Sequence, residues 1–93
     1  MKIRIWHLAR PAIDDGCFEA EEVCLDVDLP FVPQAGAVLK VDGPADPLTV
    51  DHAYWDAARP DLVHVFTKDP ACLPTMQRMR ASGWLSAEEV AAS

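Results

Sequence analysis

The side chains able to do chemistry in this chain are three histidines, three cysteines and a run of acidic residues. His52 and His64 lie on segments expected to pair as strands, so their rings can approach one another. Asp51, Asp56 or Asp61 beside them would complete a metal or acid–base site. The spacing opposes that reading. There is no H-x-H, H-E-x-x-H or C-x-x-C, the patterns that concentrate ligands on one face. Strand alternation also sets Asp51 and His52 on opposite faces. His52 and His64 remain the metal candidates, and the expectation is a non-enzymatic protein with no catalytic residue and no cofactor.

Cys17, Cys24 and Cys72 are odd in number, which argues against a disulfide framework and for reduced thiols in a cytoplasmic protein. Cys17 follows Gly16, and Cys72 precedes a possible helix start, where a dipole lowers a thiol pKa. Neither has a base beside it in the sequence. The four glycines are scattered and build no phosphate cradle.

Recognition has better material. Glu22, Asp26 and Asp28 share one face of a strand, roughly 13 Å and 7 Å apart at ~3.3 Å per residue. Trp and Tyr are enriched in binding hot spots. Tyr54 and Trp55 are adjacent in a strand and face opposite sides, so Trp55 can join Phe31 of the proline-rich loop in an exposed aromatic patch. The candidate partner-binding residues are therefore Phe31, Trp55, Glu22, Asp26 and Asp28.

These residues must be held by short strands. Residues 2–9 alternate, with Ile3 and Ile5 on one side and Lys2 and Arg4 on the other. Residues 22–29 alternate again, with Val23, Leu25, Val27 and Leu29 inward and Cys24 outward beside the acids. Phe18 and Ala20 have the opposite parity, so a strand running from Cys17 needs a bulge near Glu21 and Glu22. A third strand spans 37–41 and a hairpin joins 48–56 to 62–67. On the last strand Leu62, His64 and Phe66 oppose Val63, Val65 and Thr67; both sides are rather apolar, which suits a core on one side and a helix on the other. Beyond Pro70 the period becomes helical, with Pro74 in the first turn, Leu73, Met76 and Met79 at helical spacing, Arg78 and Arg80 as polar positions, and Gly83 and Trp84 closing a Schellman motif. Ser86 to Glu89 reads as a capping box for a second short helix. The fold class is α+β: a five-stranded, strongly bent antiparallel sheet or a small, partly open SH3-like barrel, with one or two short C-terminal helices. An OB-like barrel or a flat sheet with a helix on one face are the alternatives. One domain is expected over 1–93, β-rich to residue 68 and helical from 69.

The bulk composition bounds the partner. A chain of 93 residues that is 51% hydrophobic and 25% charged has a folding composition, and its net charge of −7 opposes direct nucleic-acid binding. Twelve of the fifteen acidic residues fall within 14–61, against only Lys40 and Arg59. Such a field steers a basic protein partner or simply keeps the domain soluble. No stretch reaches the ~20 apolar residues of a membrane span, and residues 1–7 lack the apolar core of a signal peptide. An open strand edge allows a homodimer. Fourteen alanines against three lysines fit a GC-rich bacterial or phage source.

The run from Leu29 through Pro30, Phe31, Val32, Pro33, Gln34, Ala35, Gly36 and Ala37 to Val38, followed by a strand ending in Tyr54-Trp55, resembles small uncharacterised bacterial and phage β-domain proteins. That resemblance implies a β-rich fold and transfers no functional residue. In size and charge pattern the chain is also similar to phage-encoded inhibitors, certain anti-CRISPR proteins among them, that imitate nucleic acid. This implies occupation of a basic groove by Glu22, Asp26, Asp28 and their acidic neighbours Asp14, Asp15, Glu19, Asp42 and Asp46.

Overall fold

The computed structural model describes residues 1–10, 20–44, 46–70 and 73–92. Its elements are strands β1 (Lys2–Ala9), β2 (Glu21–Asp28), β3 (Val38–Leu39), β4 (Leu48–Trp55) and β5 (Leu62–Thr67), helix α1 (Met76–Ala81), strand β6 (Leu85–Ser86) and helix α2 (Ala87–Ala92). The strands form a curled half-barrel in the order β3-β4-β5-β1-β2-β6. Two features correct the expected five-stranded antiparallel sheet. There are six strands among the described residues, and β1 lies parallel to β5 while antiparallel to β2. The sixth strand is two residues long and pairs Ser86 with Val23 and Leu85 with Cys24. That is too short for any alternation to show.

β1 is central because it can bury one side along its whole length. Ile3, Ile5, His7 and Ala9 are all buried, while Lys2, Arg4, Trp6 and Leu8 face the other way. The core gathers Ile3, Ile5, Val23, Val50, Val63 and Val65 from the sheet with Met76, Met79 and Trp84 from the helical segment. Helix α1 thus covers the inner face. Its N-cap is Thr75, whose Oγ1 accepts from the Arg78 N–H at 3.2 Å. Pro74, expected inside the first turn, stands just before the cap. There its carbonyl accepts from Arg10 N–H, and Met76 N–H donates to the Arg10 carbonyl, tying the helix start to the end of β1.

The helix stops as the Gly83-Trp84 pair indicates. Gly83 has φ +95°, its N–H bonds the Arg80 carbonyl, and the Trp84 N–H bonds the Met79 carbonyl. Trp84 is fully buried, and its indole N–H donates to the Asp42 carbonyl at 2.7 Å. Ser86 and Glu89 form the capping box of α2, with Glu89 N–H to Ser86 Oγ at 3.2 Å and Ser86 N–H to Glu89 Oε1 at 3.4 Å.

The register irregularity sits elsewhere than expected. β1 and β2 pair without interruption from Lys2↔Asp28 to Ala9↔Glu21. The residues upstream that would have required a bulge, 17–19, lie outside the described residues. The bulge is in β4, between Val50 and His52. The third strand is also shorter than 37–41: only Val38 and Leu39 pair, with Thr49 and Leu48. β4 is therefore covered on its far side only at its start, and residues 51–55 have no second neighbouring strand among the described residues. Among these residues, no helix is long and apolar enough to cross a membrane.

Candidate binding face

Strand register dictates what the outer face displays. Tyr54 lies opposite His64, His64 beside Arg4, and Arg4 opposite Asp26. The next outward row runs His52, Phe66, Trp6, Cys24. Two cross-sheet rows thus place five rings from three strands next to one another, and the rings stack nearly parallel. His52 lies 4.8 Å from Phe66 at 13°, and Tyr54 lies 4.8 Å from His64 at 8°. Tyr54 and Phe66 are 5.7 Å apart, and Trp6 stacks on Phe66 at 6.1 Å and on His64 at 6.2 Å. The second apolar side of β5 is covered by these neighbouring rings rather than by the helix expected there.

The histidines are fixed by this arrangement. Trp6 Nε1–H donates to His64 Nδ1 at 3.0 Å, which requires a lone pair on that nitrogen and the neutral ring. Burial, reinforced by the Arg4 charge, pushes the His64 pKa below its ordinary value. His52 Nδ1 is 2.8 Å from Asp51 Oδ2. These two were expected on opposite faces; the bulge breaks the alternation at that point and lets them meet. His52 and His64 are on paired strands but each stacks on a ring of the other strand, not on the other histidine. Among the described residues no group of three His, Cys, Asp or Glu is placed to hold a metal.

The acidic residues divide. Asp26 accepts a fork from Arg4, Nε to Oδ1 at 2.8 Å and a terminal nitrogen to Oδ2 at 3.1 Å, and this bond raises the Arg4 pKa further. Asp28 pairs with the Met1 amine at 3.3 Å. Glu22 instead joins a hollow of about 240 Å³, whose walls include Trp6, His7, Asp51, His52, Phe66, Thr67 and Asp69. Cys24, expected outward with the acids, has that parity but is buried, with Leu85 of β6 as its neighbour; burial pushes its thiol pKa up. Cys17 and Cys72 lie outside the described residues, as do Asp14, Asp15 and Glu19.

Phe31 and Trp55 are exposed, at 54% and 56%. Trp55 belongs to the inner-parity row with Val63, Ile3 and Val27, and its indole N–H bonds the Pro60 carbonyl at 3.1 Å. It walls a hollow of about 580 Å³ with Met1, Val32 and Val63, among whose walls Phe31 is absent. The ring face built from Trp6, Tyr54 and Phe66 was not anticipated. The parities of Trp6 with Arg4 and of Phe66 with His64 were readable, but not that these strands are neighbours. No family model, curated protein or solved structure matches the chain.

Proposed function

We propose that the protein is a non-enzymatic binding module that holds a protein partner against the outer face of its sheet. The observation that carries this reading is the five-ring stack of Trp6, His52, Tyr54, His64 and Phe66 on the side opposite α1. A core alone does not require aromatic side chains there, and stacked rings are pre-ordered contact area with little entropy left to lose on binding. Among the described residues no second strand pairs with β4 at residues 51–55, which leaves an edge next to the rings where a partner strand, from another protein or from a second copy, can add. Imitation of nucleic acid by the β2 carboxylates has less behind it, because Arg4 and the Met1 amine already engage Asp26 and Asp28.

The test compares affinity capture from a source or host lysate by the wild type, a His52→Ser/Tyr54→Ser variant and a Phe31→Ser variant. Both altered residues of the double variant are exposed, so folding should survive, and circular dichroism checks it. Proteins retained by the wild type and by Phe31→Ser, but lost from the double variant, support the outer face. The same proteins retained equally by all three would remove it.

A further inference from the structure

A third hollow, of about 420 Å³, lies on the α1 side of the sheet, opposite the ring stack. It sits where β1 and β5 end and β4 begins, under the start of α1, with His7, Leu48, Pro70 and Thr75 at its border. Its size falls in the ~300–1,000 Å³ range of small-molecule sites. Four of the chain's eight prolines, Pro44, Pro47, Pro70 and Pro74, line it with Leu48 and Leu73, so its walls are largely apolar and stiff.

An acceptor at its inner end lacks a donor. Thr67 Oγ1 donates its single proton to the Trp6 carbonyl at 2.8 Å, so it accepts from His7 Nδ1, 2.6 Å away. His7 Nε2 is then a bare lone pair at the edge of the ring far from the backbone, buried and with no hydrogen-bond partner among the described residues. Burial lowers the His7 pKa, which keeps the ring neutral. The ring projects from the buried side of β1, the side on which this hollow lies. Two exposed charges of opposite sign, Arg78 and Asp46, stand at the rim. Among the described residues neither is ion-paired, to the other or elsewhere.

A ligand that satisfies all three groups has a fixed order of parts: a donor at its inner end, an apolar body, and a carboxylate and an ammonium at its outer end. An α-amino acid with a bulky side chain and a donating tip has that order. We propose that the hollow binds a free aromatic amino acid of the tryptophan or tyrosine type. Its indole N–H or phenol O–H meets His7 Nε2, its carboxylate meets Arg78 and its ammonium meets Asp46. A lone buried water also donates to Nε2, but at ~30 Å³ it leaves the rest of the hollow unfilled. This site is separate from the partner face, and either stands without the other.

The experiment titrates the full chain, labelled with nitrogen-15, with L-tryptophan, L-tyrosine and L-phenylalanine, and reads binding from amide shifts. Phenylalanine keeps the body and both charges but has no donor at its tip, so it should bind about tenfold more weakly than the tighter of the other two. The His7 Nε2 resonance should move with that tighter ligand and stay with phenylalanine. Tryptamine lacks the carboxylate and indole-3-propionate lacks the ammonium. Arg78→Gln should therefore weaken indole-3-propionate about threefold and leave tryptamine unchanged, and Asp46→Asn should do the reverse. Both positions are exposed, so folding survives the changes. Equal affinity for phenylalanine, or a His7 Nε2 resonance that never moves, overturns the inference. So does an Arg78→Gln loss shared equally by tryptamine. Shifts confined to Tyr54, His64 and Phe66 overturn it in favour of stacking on the outer rings. No shift at about 10 mM ligand, where even a ~1 mM site fills, overturns it outright.

Discussion

Gly43→Ala separates two costs that a single glycine substitution normally mixes. Gly43 has φ +115°, and a Cβ placed there would meet Trp84 Nε1 at 2.9 Å, Met79 Sδ at 3.0 Å and Trp84 Cδ1 at 3.2 Å. Gly83 has φ +95° as well, but its Cβ would meet only Leu25 Cδ1 at an ordinary 3.8 Å. Both variants bear the backbone term, about 1–2 kcal/mol for an L-residue at positive φ. Only Gly43→Ala must also displace a fully buried tryptophan, at about 1–3 kcal/mol for overpacking. Movement of that indole also strains its 2.7 Å bond to the Asp42 carbonyl, worth about 1 kcal/mol. The expected losses are therefore about 3–6 kcal/mol for Gly43→Ala and about 1–2 kcal/mol for Gly83→Ala. Urea unfolding followed by circular dichroism reads them. With a slope of about 1 kcal/mol/M for so small a domain, the two midpoints should differ by about 2–4 M. Equal midpoints, or a Gly43→Ala loss no larger than the backbone term, would refute the packing of this loop against Trp84.

Two further outcomes follow from named contacts. Because the folded-state pKa of His7 is lowered by burial, the unfolded chain takes up its proton first as pH falls. The stability it contributes is complete above about pH 6.5 and is lost as pH drops through the folded value. Urea midpoints measured from about pH 7.5 to about pH 5 should fall more steeply for the wild type than for His7→Asn. Parallel slopes would count against a neutral buried ring. Ser86→Ala removes the Oγ that accepts the Glu89 N–H at 3.2 Å and should cost about 1 kcal/mol, with amide exchange rising in α2 before the sheet. Unchanged exchange there would show the cap to be idle.

Much of the fold was legible where local pattern and local structure coincide. β1 and β2 show their buried sides by alternation, and Gly83-Trp84 and Ser86–Glu89 announce one helix end and one helix start because capping is a matter of adjacent residues. The bulge at Asp51 was not legible. Val50, His52 and Tyr54 continue an alternation that histidine and tyrosine fit on either face, so nothing in their types marks the slip. Neither was the parallel pairing of β1 with β5, which depends on how distant segments return to one another. The candidate site suffered from the same gap. Glu22, Asp26 and Asp28 were correctly placed on one strand face, but Arg4 opposite Asp26, and the meeting of Trp6 with Phe66 and His64, are consequences of register between strands.

The central position of β1 has a bearing on assembly. Its antiparallel neighbour lies close behind it in the chain, but its parallel neighbour is far downstream, as the 60-residue separation of His7 and Thr67 shows. Closing so long a segment carries an entropic cost before any contact rewards it, and parallel pairing of this kind is slow. During synthesis, the hairpin of β1 and β2 must therefore wait with one apolar edge open until Thr67 has been made. In that interval its open edge is one that other nascent chains and chaperones can meet, and the strand that seals the middle of the sheet is made only after four of the six described strands.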